Sequence, residues 1–201
     1  MQVYKIRQRG FAANCFLVTS DGKHAVAIDP AQPRVKAEAE RLGLKVEFVL
    51  LTHGHFDHIG GCAALQAAGA KIGCLEAEKP LALFHNLGEE FGDPVPAFSV
   101  DFTFQGGEKL QLCGITCEVL ATAGHTRGGA CYMAENAIFT GDTLFAGDVG
   151  RTDLPTGSDE ELRNSLKTLC ALDGDYTVYA GHGADSRLSY ERAHNPYLCN
   201  L

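Results

Sequence analysis

The sequence predicts an α/β (α+β) fold in which two packed β-sheets carry helices on their outer faces. Short runs rich in β-branched and aromatic residues, typical of strands, recur along its 201 residues, and amphipathic helical segments lie between them. The predicted strands and helices form two successive groups along the chain, which indicates two sheets rather than one. No low-complexity linker marks a boundary, so we expect a single domain over residues 1–201.

The first half of the chain predicts strands that alternate with helices. The strands, which are rich in apolar and β-branched residues, are expected at 2–6, 15–20, 24–29, 45–51 and 70–75. The helical segments are expected at 34–43, 59–69 and about 76–88, followed by a Pro-containing loop at 90–98. Gly43 is suited to end the first helix, because glycine favours the backbone conformation that closes helices.

The second half predicts mainly short strands and one long helix. The strands, separated by turn signals, are expected at 101–104, 108–112, 115–122, 131–135, 136–142 and 176–181. Residues 143–157 predict a loop. A helix follows over 158–172, because Ser158 is a suitable N-cap and acidic residues occupy the first turn.

Composition and charge limit the kinds of binding partner and of cellular compartment that we expect. The net charge of −8 and pI of about 5.4 argue against an extended basic surface, so we expect no nucleic-acid partner. The N-terminus has no signal-like cleavage site and no apolar run long enough to span a membrane, which favours the cytoplasm. The eight cysteines are then expected to be reduced and mostly buried, and Cys113 and Cys117 lack a second pair for a zinc ribbon.

The most informative segment is a cluster of titratable side chains directly after the strand ending at Leu51. His53, His55, Asp57 and His58 fall within six consecutive positions. Unpaired polar and charged groups packed so closely carry a large desolvation cost unless something binds them. The cluster therefore predicts a metal site, since imidazole and carboxylate groups are ligands that Zn²⁺ accepts.

Three later loops repeat the same local pattern, in which a strand ends and a potential ligand follows beside a glycine. His125, Asp142 and His182 each occupy such a position. Strand ends along one sheet edge lie close in space, so we expect these loops to converge on the first cluster. By contrast, His24, His85 and His194 lack this setting and are interpreted as structural or surface residues.

The spacing favours two metal ions rather than one. His53 and His55 can give one ion two imidazoles, which leaves Asp57 and His58 for a second ion. His125 then completes the first site and His182 the second, with Asp142 between them as a bridging carboxylate. Two cations about 3.5–4 Å apart share and deprotonate a water molecule at neutral pH. For Asp29, at the end of a strand, two roles stay open: orienting a ligand histidine, or acting as a plain turn aspartate.

The segment from Thr52 to His58 matches the signature T-H-x-H-x-D-H, and the chain thus resembles the metallo-β-lactamase superfamily. The resemblance extends to "NCFLV", "IDP", "GDTLFAGDVGRTDLP", "GHGADS" and "ERAHNPYL", segments most similar to small glyoxalase II-like hydrolases. It implies a four-layer αββα sandwich with a dinuclear site at one edge of its two sheets. It also implies the ligand set given above, and hydrolysis of a small-molecule thioester, typically S-lactoylglutathione, to D-lactate and glutathione.

The sequence departs from the family pattern at several positions. Arg127 and Gly129 stand where the family usually has proline and histidine, and the acidic Asp148 stands where a small residue is common. Full-length glyoxalase II binds glutathione through a helical C-terminal domain, which we expect to be absent because the chain ends soon after His182. Arg151 has two interpretations: binding a substrate carboxylate, or pairing with Asp153 to hold the loop, which we favour.

We therefore expect a thioesterase in which a metal-bridging hydroxide attacks the thioester carbonyl and Asp57 accepts the proton. The metals are expected to be two zinc ions, with iron or manganese as alternatives. A mononuclear Fe(II) persulfide dioxygenase, using His53, His125 and Asp142, is the main rival, and a lactonase is a weaker one. A non-catalytic metal module is disfavoured by the open ligand positions, and an RNA-processing nuclease by the acidic charge. The sequence predicts no oligomeric state.

Overall fold

Two β-sheets form the centre of the fold. The structure is a computed structural model that describes residues 1–7, 10, 12–82 and 94–201. The strands of the first sheet lie in the order of the sequence: β1 (Gln2–Ile6), β2 (Cys15–Thr19), β3 (His24–Ile28), β4 (Lys45–Leu51), β5 (Lys71–Leu75) and β6 (Phe102–Phe104). From β3 to β6 each neighbouring pair is parallel.

The second sheet has the strand order β14-β13-β10-β9-β8-β7. Its strands are β7 (Lys109–Leu112), β8 (Ile115–Ala121), β9 (Ala130–Ala134), β10 (Ala137–Gly141), β13 (Thr177–Ala180) and β14 (Ser186–Arg187). The short hairpin β11 (Leu144–Phe145) and β12 (Asp148–Val149) stands apart from it. Because β10 pairs in parallel with β13, and β9 runs antiparallel to both β8 and β10, the strands β8, β10 and β13 end at the same edge.

The helices cover the outer faces of the two sheets. They are α1 (Arg34–Arg41), α2 (Phe56–Ile59), α3 (Cys62–Ala67), a 3-10 helix (Glu76–Glu78), α4 (Lys79–Ala82), α5 (Asp159–Cys170) and α6 (Leu188–His194). Ser158 caps α5 as predicted, since its hydroxyl accepts a hydrogen bond from Glu161 N at 3.3 Å. Gly43 follows α1 with φ +73°, a conformation that suits glycine at a helix end.

Three hydrophobic clusters separate the four layers. Strand β2 shows the alternation that creates them, since Leu17 faces the helices of the first sheet while Phe16 and Val18 face the second sheet. The cluster between the sheets also contains Leu50 and Phe139. The outermost cluster joins the second sheet to α5 and α6. The predicted four-layer αββα arrangement is thereby confirmed.

Several element boundaries differ from the sequence prediction. The histidine cluster was expected on a loop, but Asp57 and His58 lie in the one-turn helix α2, and α3 begins only at Cys62. Residues 143–157 contain the β11–β12 hairpin rather than a loop alone. The helical stretch expected over 76–88 is observed as far as Ala82, and its remainder and the start of the 90–98 loop lie outside the described residues.

Candidate metal centre

The seven predicted ligands come together where four strands end. His125, Asp142 and His182 follow β8, β10 and β13 of the second sheet, and the histidine cluster follows β4 of the first. The two sheets are tied at this edge by a hydrogen bond from Ala130 N to Thr52 O of 2.9 Å. The convergence that the sequence predicts is therefore present in the structure.

One side of the site is made of three imidazoles, here called the three-histidine group (His53, His55, His125). Each offers one nitrogen, and these atoms all lie within 4.8 Å of one another. Atom Nδ1 of His55 is 2.9 Å from Nε2 of His125. All three residues are buried, with at most 5% of their surface exposed.

The other side contains a carboxylate and two imidazoles, here called the mixed group (Asp57, His58, His182). Its ligand atoms also lie within 4.8 Å of one another. Atom Oδ2 of Asp57 is 3.2 Å from Nε2 of His182 and 3.8 Å from Nε2 of His58. The His182 side chain is 36% exposed, so this side of the centre faces solvent.

Asp142 lies between the two groups and approaches both. Its Oδ2 is 3.7 Å from Nε2 of His125 and 3.6 Å from Nε2 of His182. Its Oδ1 is 3.3 Å from Nε2 of His58. A Cβ at Gly181 would overlap Asp142 Oδ1, so the backbone there passes directly against the carboxylate. Asp142 thus lies close to ligand atoms of both groups.

The chemistry of the buried atoms fits divalent metal ions. Four buried atoms of the ligand side chains have no hydrogen-bond partner among the described residues: Nε2 of His53, His55 and His58, and Oδ1 of Asp142. Buried polar atoms are normally hydrogen-bonded, and leaving them without a partner is costly. Imidazole nitrogens and carboxylate oxygens in this number are a donor set for divalent cations. The arrangement is that of a metal centre.

A hydrogen-bonded chain behind the ligands orients two of the histidines. Asp29 accepts hydrogen bonds from Thr52 N at 2.8 Å, from the Thr52 hydroxyl at 2.6 Å and from Nδ1 of His58 at 2.9 Å. Since the Thr52 hydroxyl donates to Asp29, its oxygen is free to accept from Nδ1 of His53 at 3.1 Å. Asp29 lies close enough to His53 and His58 to ligate a metal itself, but both its oxygens are already engaged. It is therefore an orienting residue rather than a plain turn aspartate.

Histidines on the two sides of the centre have pKa values shifted in opposite directions. Burial lowers the pKa of His53, His55 and His125, that of His55 to about 4, so these imidazoles are neutral at pH 7. For His58, burial acts in the same direction, but the carboxylates of Asp142, Asp29 and Asp57 outweigh it and raise its pKa well above the usual value.

The two carboxylates of the site are ionised at neutral pH. Burial raises the pKa of Asp142, but the positive charge of His58, whose Nε2 lies 3.3 Å from Oδ1, outweighs it and brings the pKa down to about 2. Burial likewise opposes ionisation of Asp57, and the charge of His58 with a hydrogen bond from His182 lowers its pKa below the ordinary value. Both carboxylates are thus available as anionic ligands.

Arg151 contributes through its backbone as well as its side chain. Its carbonyl oxygen accepts a hydrogen bond from Nδ1 of His125 at 2.7 Å, which directs Nε2 toward the metal centre. Its exposed guanidinium binds Asp153 through two contacts of 2.6 and 2.7 Å. This pairing agrees with the structural interpretation of the "GRTD" segment.

The positions that depart from the family pattern have local explanations. Arg127 is exposed, and its backbone N–H donates to Thr156 Oγ1. A Cβ at Gly129 would approach Thr122 O within 2.8 Å, so a side chain there requires the backbone to shift. Asp148 is exposed in β12 and accepts a hydrogen bond from Val149 N.

The histidines interpreted as structural or surface residues take no part in the centre where they are described. His24 binds Asp21 through Nδ1 at 2.7 Å, and His194 stacks on Tyr190. His85 lies outside the described residues. Two residues that act on the ligand loops, Thr52 and Glu78, carried no predicted role. Thr52 lies within the signature itself, which could have indicated its role. For Glu78, the sequence shows only an acidic residue in a short helical segment.

Known proteins are similar to this chain over nearly its whole length. The model of the family described as the metallo-beta-lactamase superfamily matches residues 9–182. The hydroxyacylglutathione hydrolase GloC of Haemophilus influenzae is 40% identical over 210 residues, which cover 98% of each chain. The crystal structure of TTHA1623 in a di-iron-bound form has a TM-score of 0.88 at 32% identity and covers 98% of this chain and 100% of its own.

A second solved structure, that of the BLEG-1 B3 metallo-beta-lactamase, has a TM-score of 0.90 at 28% identity, with 98% of this chain and 99% of that chain covered. These likenesses confirm the fold predicted from the sequence. Among the described helices, none combines the length and the apolar character that a membrane span requires.

Proposed function

The chain belongs to the metallo-β-lactamase superfamily and is a metal-dependent hydrolase, and on this basis we propose that it is a dinuclear thioesterase of the glyoxalase II type. Its substrate is a small-molecule thioester, S-lactoylglutathione or a related compound, cleaved to a carboxylic acid and a thiol. The similarity to a relative named hydroxyacylglutathione hydrolase, which matches this chain over 98% of both lengths, supports that substrate class.

One observation carries the proposal of two metal ions: two separate ligand groups share Asp142. The three-histidine group would hold one ion and the mixed group the other, with Asp142 contributing an oxygen to both. We assign zinc to both sites, and iron and manganese remain alternatives since the same donors accept them. The relative in a di-iron-bound form supports a site for two ions.

Bound divalent cations supply a hydroxide nucleophile at neutral pH and stabilise the negative charge that develops on the carbonyl oxygen. The chain provides the groups that accept a proton and that orient the ligand histidines. Asp57, ionised at neutral pH and partly exposed, is the proton acceptor, since its Oδ2 faces the solvent side of the mixed group beside His182. Asp29 and Thr52 keep His58 and His53 with Nε2 directed inward.

The remaining expectations are part of the same proposal. The chain is a single domain that acts in the cytoplasm on a small molecule, with no nucleic-acid or membrane partner. Substrate binding by Arg151 stays a prediction, and requires that its guanidinium leave Asp153 or bind an anion alongside it.

The test is anaerobic hydrolysis of S-D-lactoylglutathione by the zinc-loaded protein, followed by thioester absorbance. The proposal expects rapid hydrolysis that stops with a chelator and is absent in His53→Ala. No hydrolysis by protein that is folded and holds two ions per chain would exclude this thioester. A panel of other acyl thioesters and of acyl-homoserine lactones then separates a different thioesterase from a lactonase.

A persulfide dioxygenase is the second candidate, because the three ligands of a single Fe(II) ion are also present. His53 and His125 belong to one group, and Asp142 Oδ2 lies 3.7 Å from Nε2 of His125. Oxygen uptake by the iron-loaded protein with glutathione persulfide discriminates the two activities. Uptake in the absence of any thioester hydrolysis would favour the dioxygenase.

A further inference from the structure

A buried glutamate outside the ligand set connects the two segments that carry the three-histidine group. Glu78 ends the 3-10 helix and is 1% exposed. The two segments are the 52–55 loop, which carries His53 and His55, and the 122–129 loop, which carries His125. The proposed hydrolysis assigns no role to this carboxylate.

Each oxygen of Glu78 binds a different loop. Oε1 accepts a hydrogen bond of 2.7 Å from Gly54 N, which lies between the two ligand histidines. Oε2 accepts one of 2.9 Å from the hydroxyl of Thr126, which directly follows His125, and one of 3.0 Å from Gly128 N. One carboxylate therefore spans the two loops at their ligand-bearing positions.

The backbone around Glu78 is in contact with the same two loops. A Cβ at Gly54 would overlap the backbone of Ala82, and a Cβ at Gly128 would overlap the backbone of Glu78 itself. Both glycines thus allow the segment 77–82 to approach at van der Waals distance. The carboxylate and the backbone of this segment hold the two loops from one side.

The choice of a carboxylate fits three donors that converge on one point. A carboxylate is a pure acceptor, whereas a glutamine amide of the same shape must turn its NH₂ group toward at least one of these donors. Burial is the largest influence on the pKa of Glu78 and raises it to about 7, although the three hydrogen bonds favour the ionised carboxylate and lower the pKa. A buried acid is costly to maintain, and the hydrogen bonds that its side chain makes within the described part of the chain are all with the two ligand-bearing loops.

We propose that Glu78 is a positioning residue that fixes the separation of the 52–55 and 122–129 loops and so sets the geometry of the three-histidine metal site. It acts on the metal only through Gly54, Thr126 and Gly128. The inference rests on the proposed ligands of that site but not on the identity of the substrate. Its readout is therefore metal affinity rather than turnover.

The experiment is a Zn²⁺ titration against a chromophoric chelator, in a His182→Ala background that weakens the mixed group and leaves the three-histidine group intact. In that background Glu78→Gln is expected to lower the affinity about 10- to 100-fold, the range typical for residues that support metal ligands. The visible spectrum of bound Co²⁺, which reports ligand geometry, is expected to change as well. Unchanged affinity and an unchanged spectrum in folded Glu78→Gln would overturn the proposal.

A matched control distinguishes positioning from general destabilisation. Glu191 is likewise fully buried and accepts hydrogen bonds from Gly147 N and Asn195 Nδ2, neither of which lies in the 52–55 or the 122–129 loop. Glu191→Gln is expected to lower the thermal midpoint of the metal-free protein without changing Zn²⁺ affinity or the Co²⁺ spectrum. An equal loss of affinity in this control would assign the effect to stability and refute the proposed role of Glu78.

A milder pair of variants decides the matter if Glu78→Gln does not fold. Thr126→Val removes one donor to the carboxylate, and Thr126→Ser keeps it. The proposal expects Zn²⁺ affinity to fall several-fold in Thr126→Val and to stay near that of the parent in Thr126→Ser. Equal affinities in the two variants would contradict it. Absence of Zn²⁺ binding in the parent background would instead reject the assigned ligands.

Discussion

The two halves of the metal centre differ in charge, exposure and support. The three-histidine group is buried, uncharged at neutral pH and held by Glu78 and by the carbonyl of Arg151. The mixed group carries the ionised Asp57, and His182 opens it to solvent. We infer that the first half is built for tight, permanent binding of an ion, and the second for exchange of protons and substrate.

This difference has a physical basis in the residues around each half. Three carboxylates surround His58 and together outweigh the effect of its burial, whereas in the three-histidine group burial is the largest influence on the pKa values and lowers them. The same fold edge therefore presents an uncharged ligand set and, a few ångströms away, a set in which Asp57 and His58 are ionised. The predictions below test how far the two halves act independently, in order of decreasing effect.

Asp142→Ala is expected to have the largest effect, because it removes the carboxylate that joins the two halves. If two ions share Asp142 as proposed, its loss is expected to cost several kcal/mol of transition-state stabilisation, about a thousand-fold in kcat/KM. Metal analysis should show one ion per chain at sub-saturating zinc. Retention of two ions and of full activity would show that the halves do not depend on Asp142.

Asp57→Asn isolates the proton-transfer role of the mixed group. The amide keeps the shape of the side chain but cannot accept a proton, so kcat is expected to fall about 100-fold, with little change in KM. The measurement is steady-state hydrolysis at matched zinc content. The reverse pattern, in which KM rises and kcat is unchanged, would indicate that Asp57 binds substrate instead.

The pH dependence of metal affinity distinguishes the halves directly. Since His58 has a raised pKa in the metal-free protein, an ion entering the mixed group displaces a proton below that pKa, and its affinity is expected to rise about tenfold per pH unit until the pKa is passed. The three-histidine group has lowered pKa values and is expected to bind with constant affinity from about pH 6 to 8. Calorimetric titrations in buffers of different ionisation enthalpy count the protons released.

The raised pKa of His58 also makes the stability of the metal-free protein depend on pH. Because the pKa of His58 is higher in the folded than in the unfolded chain, its protonated form stabilises the fold at low pH. That stabilisation is lost as the pH rises through the folded-state pKa.

For the calorimetric titrations, an identical pH dependence of affinity for the first and the second zinc ion would remove the basis for distinguishing the two halves.

Arg151→Ala is expected to have the smallest effect. Its guanidinium and Asp153 are both exposed, and such pairs contribute little to stability. The backbone carbonyl that receives the His125 hydrogen bond is retained in the variant, so kcat and zinc content should stay within about two-fold of the parent. A large rise in KM for anionic thioesters, with neutral thioesters unaffected, would assign substrate binding to Arg151.

Much of this centre could be predicted from the sequence because its ligands lie in recognisable local sequence patterns. Four of them fall in one short segment, and the others each follow a strand end beside a glycine. Strand direction then dictates that they share an edge. The sandwich layers were predictable for a similar reason, since a strand that is apolar at nearly every position, such as β2, requires burial on both faces.

The supporting residues were harder to predict because they act across the fold. Glu78 is 24 residues from Gly54 and 50 from Gly128, and nothing local indicates that these positions meet. Asp29 left two interpretations open until its contacts with Thr52 and His58 were visible. The one-turn helix α2 was missed because four residues are too few to display helical periodicity.

The most direct test of the central claim is thioester hydrolysis measured as zinc is added to metal-free protein from zero to two equivalents. A dinuclear thioesterase predicts little activity at the first equivalent and a steep rise between the first and the second. Activity that is complete at one equivalent would contradict the dinuclear mechanism, and two bound ions without hydrolysis of any thioester would contradict the assigned reaction.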